Sequence, residues 1–150
     1  MTISKEILSY IAGYTDGDGC FSIRKQTLET RSKYAAQFII TSTDISVMKF
    51  LKENLGGSYI IGDKRERFPN DKIQYRFCIC GKLSGEMAKL ILPFLIERKK
   101  QCLCYIQFIE TNCKKTKDRL IKKMKILKHS TNFVSKEDLI FLNLLRIPKE

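Results

Sequence analysis

The hydrophobic period of this chain changes from helical to alternating and back, and then does so again. Residues 4 to 16 carry Ile7, Leu8, Ile11 and Ala12 at helical spacing, with Ser4 placed to cap the first turn. Asp16-Gly17-Asp18-Gly19 reads as the abrupt end of that helix. Cys20-Phe21-Ser22-Ile23-Arg24-Lys25-Gln26 alternates at once, with Phe21 and Ile23 on one face and Ser22, Arg24 and Gln26 on the other. After a polar turn near Glu29 to Ser32, residues 33 to 42 alternate again: Tyr34, Ala36, Phe38 and Ile40 against Lys33, Ala35, Gln37, Ile39 and Thr41. Thr43 or Asp44 caps a helix bearing Ile45, Met48, Phe50, Leu51 and Leu55, and Gly56-Gly57 stops it.

The sequence then repeats the scheme. Strands are expected at about 58 to 66 and 72 to 80, joined through Phe68-Pro69-Asn70-Asp71, and a helix at about 83 to 92 that breaks at Pro93. Further helices are expected at about 97 to 112 and 116 to 128, and from Ser135, where Asp138 completes a capping pattern. The order α-β-β-α-β-β-α predicts an α+β fold. Its four antiparallel strands would bury one face under helices, with extra helices at the C-terminus. At 150 residues this is one domain, with a core over about 4 to 112 and a helical extension over about 114 to 150.

Charge narrows the partners. Twenty-eight Lys and Arg against 16 Asp and Glu leave +12, an excess that suits a polyanion. A hydrophobic content of 43% is enough for a core and excludes wholesale disorder. The longest apolar run, Leu90 to Ile96, contains Pro93 and falls far short of the roughly 18 residues a membrane span needs, so no membrane partner is expected. The N-terminus lacks a basic-then-apolar signal pattern, so an intracellular protein is expected. The polar sheet face carries Arg24, Gln26, Lys33, Gln37, Gln74 and Arg76, side chains that hold phosphates and read purine edges. A merely solvated sheet face is the alternative; the clustering of charge favours nucleic acid.

Residues 114 to 128 hold eight basic side chains and one acid, Asp118. They fit DNA-backbone contact, or a solvated amphipathic helix packed through Leu120, Met124 and Leu127. The six cysteines, Cys20, Cys78, Cys80, Cys102, Cys104 and Cys113, include two C-x-C pairs rather than zinc-type spacings. Buried or half-buried free thiols are expected. Cys78 and Cys80 would share a strand face, whereas Cys102 and Cys104 on a helix would point roughly 200° apart. His129, the only histidine, is expected at the surface.

Asp16-Gly17-Asp18-Gly19 could be a turn or the start of a calcium loop. An EF-hand counted from Asp16 would place Cys20 and Thr27 where oxygen ligands belong, and would bring Arg24 and Lys25 into the loop. Gly13 within the helix costs about 0.8 to 1 kcal/mol relative to Ala, which makes sense if another backbone approaches there. Carboxylates at a helix C-terminus are disfavoured by the macrodipole, and a metal ion would relieve that.

The segment Tyr10-Ile11-Ala12-Gly13-Tyr14-Thr15-Asp16-Gly17-Asp18-Gly19 resembles the signature of the LAGLIDADG homing endonucleases. Phe38-Ile39-Ile40-Thr41-Ser42-Thr43-Asp44, Leu51 to Gly57 and Pro93-Phe94-Leu95-Ile96-Glu97-Arg98-Lys99-Lys100-Gln101 resemble later family segments. Ser42 stands where a glutamine is common, and Arg98 where a lysine is common. A single motif implies a homodimer paired through Ser9, Ala12, Gly13 and Asp16, with Asp16 serving helix-end structure first. Two saddle-shaped sheets would then grip a long pseudo-palindromic duplex. The resemblance implies that Asp18 holds Mg²⁺, with the Gly17 carbonyl a further ligand; Mn²⁺ would substitute, and Ca²⁺ would bind without supporting cleavage. It also implies that Arg98 or Lys100 stabilises charge at the phosphate, that Ser42 positions water, and that both strands are cut to leave short 3′ overhangs. Readout would come from Ser22, Arg24, Gln26, Lys33, Gln37, Tyr59, Ile61, Arg65, Arg67, Gln74 and Arg76, with Lys33, Lys64 and Lys72 on phosphates. Intron or intein association follows from the resemblance. An RNA maturase acting on its own intron RNA, or a non-cleaving DNA binder, are the alternatives.

Overall fold

The computed structural model describes residues 3–61 and 72–129. The expected strand portion at 62 to 66 with Lys64 and Arg65, the turn region with Arg67, and the helix from Ser135 lie outside the described residues. Helix α1 (Lys5–Asp18) opens with the Ser4 hydroxyl accepting from the Ile7 amide at 3.4 Å, and buries Leu8, Ile11, Ala12 and Thr15 along one stripe. It does not stop at Asp16. It continues through Gly17 and Asp18 and passes directly into strand β1 (Gly19–Thr27), where the Gly19 amide donates to the Thr15 carbonyl. The junction needs a glycine for room rather than for backbone angle. A Cβ on Gly19 would come within 2.6 Å of Thr15 Cγ2 and 2.7 Å of its backbone.

Strands β2 (Ser32–Ser42), β3 (Ser58–Ile61) and β4 (Tyr75–Cys80) complete an antiparallel sheet in the order β1-β2-β4-β3. Its inner face is the core. Phe21 lies opposite Phe38, their rings stacked at 5.2 Å, and Ile23, Ile40, Phe77 and Ile79 extend the layer. Helix α2 (Ile45–Leu55) is capped by Asp44, whose carboxylate accepts from the Ser46 amide at 2.8 Å. It ends at Gly56, whose φ of 69° suits a glycine.

Helix α3 (Gly81–Ile91) leads through a short 3₁₀ turn (Leu92–Phe94) to α4 (Lys99–Glu110) and α5 (Lys114–His129). The expected opposition of Cys102 and Cys104 has a structural counterpart, because α4 is sandwiched. Cys102 Sγ donates to the Ala88 carbonyl of α3, and Cys104 Sγ to the Leu120 carbonyl of α5, both at 3.4 Å. Burial pushes these thiols up to about 12 and about 11. Two cysteines depart from the expectation of burial: Cys80 and Cys113 are exposed.

Helix α5 runs antiparallel to the edge strand β1. Asp118 bonds Lys25 at 3.2 Å and Tyr34 at 3.0 Å near one end, and Lys128 meets Cys20 at the other. The lengths agree. Ten helical residues rise about 15 Å, and five strand residues about 16.5 Å. Not all of its lysines face outward, since Lys123 is buried.

Candidate active site and nucleic-acid interface

The C-terminal end of α1 is held from a distant part of the chain. The Asp16 carboxylate accepts from the backbone amides of Ile96 at 2.8 Å and Arg98 at 2.9 Å. In return, the Arg98 guanidinium donates to the Asp16 carbonyl at 3.1 Å and the Gly17 carbonyl at 3.3 Å, and reaches Gln101 Oε1 at 3.5 Å. Carbonyls at a helix end lack intrahelical partners, and here a cation satisfies two of them and offsets the negative end of the macrodipole. This explains why the helix outlasts the sequence expectation. It also places the Arg98 guanidinium on the helix end, against the Gly17 carbonyl that precedes Asp18. Asp16 likewise uses its carboxylate within the chain.

Asp18 differs. Its side chain is exposed and forms no hydrogen bond or ion pair with another described residue. A lone carboxylate at the carbonyl end of a helix is a hard oxygen donor seeking a cation, and that fits a divalent ion that takes oxygen ligands. Among the described residues no three His, Cys, Asp or Glu side chains come together. The described residues thus offer a divalent ion at most part of a coordination shell, which suits an ion that retains waters. The Gly17 carbonyl already accepts from Arg98, so any contribution from it would use its second lone pair.

Ser42 lies two residues beyond Ile40, the partner of Gly19. Its hydroxyl oxygen accepts from Tyr14 at 2.8 Å and from the Asp44 amide at 3.0 Å, leaving its own proton free to donate. Tyr14, which the sequence shows only as one position of the motif, thus takes part in the site. Lys100 is exposed on the first turn of α4.

The outer sheet face carries Ser22, Arg24, Gln26, Lys33, Gln37 and Arg76 in register: Ser22 opposite Gln37, Gln26 opposite Lys33, Thr41 opposite Arg76. Lys72 and Gln74 are exposed just before β4. Tyr59 does not belong to this face. It pairs with Phe77 and packs against the core, and the backbone of Ile61 pairs with Tyr75. Ser58 and Ile60 take the outward places, with Ile60 60% exposed.

Thiols and aliphatic groups occupy the middle of the face: Cys20 opposite Ile39 opposite Cys78. Cys78 and Cys80 touch at 3.5 Å, and desolvation, followed by the contact with Cys80, pushes the Cys78 thiol up to about 11. These positions follow from the strand alternation, but their side chains carry no charge to mark them.

On α1, Ser9 and Gly13 are exposed, and a Cβ on Gly13 would meet nothing within 4 Å in this chain. Ala12 does not share that open face; it is buried in the chain's own core.

An acid-tipped helix running into an antiparallel sheet that is covered on one face defines an α+β fold of the LAGLIDADG type. A family model described as LAGLIDADG endonuclease matches residues 11–95, and the chain belongs to that family. It is 34% identical over 70 residues to the probable intron-encoded endonuclease Cox1-I1b of Schizosaccharomyces pombe. The match covers 45% of this chain and 17% of that protein, so the chain spans only a small part of that relative's length. Among solved structures, the homing endonuclease I-CvuI in complex with its target superposes with a TM-score of 0.64 at 20% identity, covering 92% of this chain and 93% of that one. The archaeal intron-encoded homing endonuclease I-Vdi141I, complexed with DNA, gives 0.65 at 19%, covering 91% and 94%. Among the described residues no helix is long and apolar enough to cross a membrane.

Proposed function

We propose that this chain is a site-specific homing endonuclease, intron- or intein-associated, that cuts both strands of a long pseudo-palindromic duplex as a homodimer and leaves short 3′ overhangs. The observation that carries the reading is Asp18: an exposed carboxylate at a helix end, without a partner among the described residues, beside a sheet face that carries Arg24, Gln26, Lys33 and Gln37. Asp18 of each subunit would hold a divalent metal, Mg²⁺ or in its place Mn²⁺, with Ca²⁺ binding without supporting cleavage. When bound, the metal would supply an activated water and stabilise the leaving 3′ oxygen at each scissile phosphate.

The chain's own residues do the rest. Arg98 and Asp16 fix the end of α1, so that Asp18 is presented at a set place. The Ser42 hydroxyl, anchored by Tyr14, donates a hydrogen bond toward solvent at the site. Lys100 offers charge to a phosphate. Arg24, Gln26, Gln37, Gln74 and Arg76 read base edges, while Lys33 and Lys72 hold the backbone. Dimerisation through the open Ser9–Gly13 face supplies the second Asp18, and doubling +12 gives a dimer charge of about +24, so affinity should fall steeply with salt. The core and the helical extension would work as one unit inside the cell, where such a target resides.

The test is selection of bound and cleaved duplexes from a randomised library in Mg²⁺ and, separately, in Ca²⁺. A long pseudo-palindromic site bound in both and cut only in Mg²⁺ is expected, with cutting abolished by Asp18→Asn. Binding without cutting in Mg²⁺ would overturn the reading in favour of a DNA binder or an RNA maturase.

A further inference from the structure

The Arg98 guanidinium is engaged by the end of α1, which leaves Lys100 as the expected cation with a free charge near the site. The structure brings another. Lys128, in the last turn of α5, places Nζ 3.2 Å from Cys20 Sγ. Cys20 is on the outer sheet face, opposite Ile39 and two residues from Ser22. It is two residues from Asp18, a separation of at most about 7.6 Å between Cα atoms. The ammonium thus reaches edge strand β1 at the residue two places after Asp18.

This placement is not that of a loose surface lysine. Gln101, which receives the Arg98 guanidinium, donates through Nε2 to the Leu127 carbonyl at 3.4 Å. A continuous chain of hydrogen bonds therefore links the end of α1 to the end of α5 through Arg98 and Gln101. Sixteen residues of α5 are also pinned at the other end by Asp118 on Lys25 and Tyr34. Lys128 forms no ion pair with a carboxylate among the described residues. Among the described residues its charge therefore has no counter-ion, and its Nζ sits beside Cys20.

We infer that Lys128 is a further cation that meets the scissile phosphate, delivered from the C-terminal helix in addition to the residues that follow the Pro93 segment. This rests on the endonuclease reading. Arg98 acts as a positioning residue for both Asp18 and, through Gln101, the end of α5. Lys128 contacts substrate directly.

The experiment compares Lys128→Met, which keeps the stem and removes the charge, with Lys128→Arg and with Lys114→Met at the far end of α5. Single-turnover cleavage is measured in Mg²⁺ at saturating protein, together with the salt dependence of DNA binding in Ca²⁺. Lys128→Met should slow cleavage about 10²-fold and reduce the salt slope by about 0.9 for each phosphate no longer neutralised. Lys128→Arg should recover most of the rate, and Lys114→Met should leave the rate unchanged. A wild-type rate for Lys128→Met, whether or not the slope changes, overturns the inference. If the wild-type protein binds its selected site but cuts nothing, the endonuclease reading fails instead. The role of Lys128 at a phosphate is then judged by the slope alone, and an unchanged slope overturns that too.

Discussion

Asp16 and Arg98 hold each other by opposite ends. The Asp16 carboxylate takes the Arg98 backbone amide, and the Arg98 side chain takes the Asp16 carbonyl, across 82 positions of sequence. Neither bond is a side-chain ion pair, so each partner contributes a charged group to the other's backbone. Hydrogen bonds to charged groups contribute roughly 1.5–3 kcal/mol. Arg98→Ala should therefore lower stability by about 2 kcal/mol, read by urea denaturation. Arg98→Lys should recover little, because an ammonium cannot reproduce a planar fork spanning two carbonyls and an amide. Full stability in Arg98→Ala with lost cleavage would place Arg98 on DNA instead.

Asp18 is predicted to trade stability for function. A carboxylate in the last helical turn opposes the macrodipole, an effect of about 0.3–1 kcal/mol at an exposed site. Asp18→Asn should therefore unfold at slightly higher urea than wild type while losing cleavage and keeping DNA affinity. A stability loss would mean that the carboxylate has a structural partner in the folded protein.

The two glycines that bracket the motif should respond in opposite directions. Gly13→Ala meets nothing within the chain and gains helix propensity worth about 0.8 to 1 kcal/mol, so the isolated subunit should become more stable. If motif helices pair closely across a two-fold axis, the same methyl should weaken the dimer, seen as an increased monomer fraction by light scattering. Gly19→Ala drives a Cβ into Thr15 and should cost about 1–3 kcal/mol at any protein concentration.

The parts of the fold that depend on local pattern were legible in the sequence. The period changes marked β1 and β2, Asp44 and Gly56 bounded α2, and the 200° separation of Cys102 and Cys104 anticipated a helix packed on two sides. What was not legible came from afar. Asp-Gly-Asp-Gly has turn propensity, but Arg98 caps it as a final helical turn, a tertiary interaction that no local window contains. The parity of β3 escaped because Ser58 to Ile61 has no alternation, and only pairing with β4 puts Tyr59 inside. Asp18 was singled out through the motif, and it stands exposed at the end of α1. The contact of Lys128 with Cys20 was not legible, since it depends on how α5 lies along β1.

Docking of α5 should weaken in acid. Desolvation alone would raise the Asp118 pKa, but the hydrogen bonds from Tyr34 and Lys25 outweigh it and hold the carboxyl below its ordinary value of 3.8. A carboxylate depressed in the folded state contributes stability that is fully present above its unfolded pKa and is lost as pH falls through the folded value. The difference in stability between wild type and Asp118→Asn should thus be constant from neutral pH to about 5 and shrink below about 4. A difference that persists unchanged at pH 2 would show that Asp118 acts through packing alone.

Thiol reactivity should sort the cysteines by environment. Cys113 is exposed, and its pKa is lowered by hydrogen bonds from the Thr116 side chain and backbone, with a smaller contribution from Lys115, at the start of α5. Since the thiolate is the nucleophile, Cys113 should be alkylated first by iodoacetamide at neutral pH. Cys102 and Cys104, buried and raised to about 12 and about 11, should react only on unfolding. Cys78, half-buried and raised to about 11, should fall between these extremes, and bound duplex should protect it if the outer sheet face meets DNA. Mass spectrometry of peptides over a time course reads all four. Equal labelling of Cys78 with and without a saturating selected duplex would remove the outer face from the DNA interface.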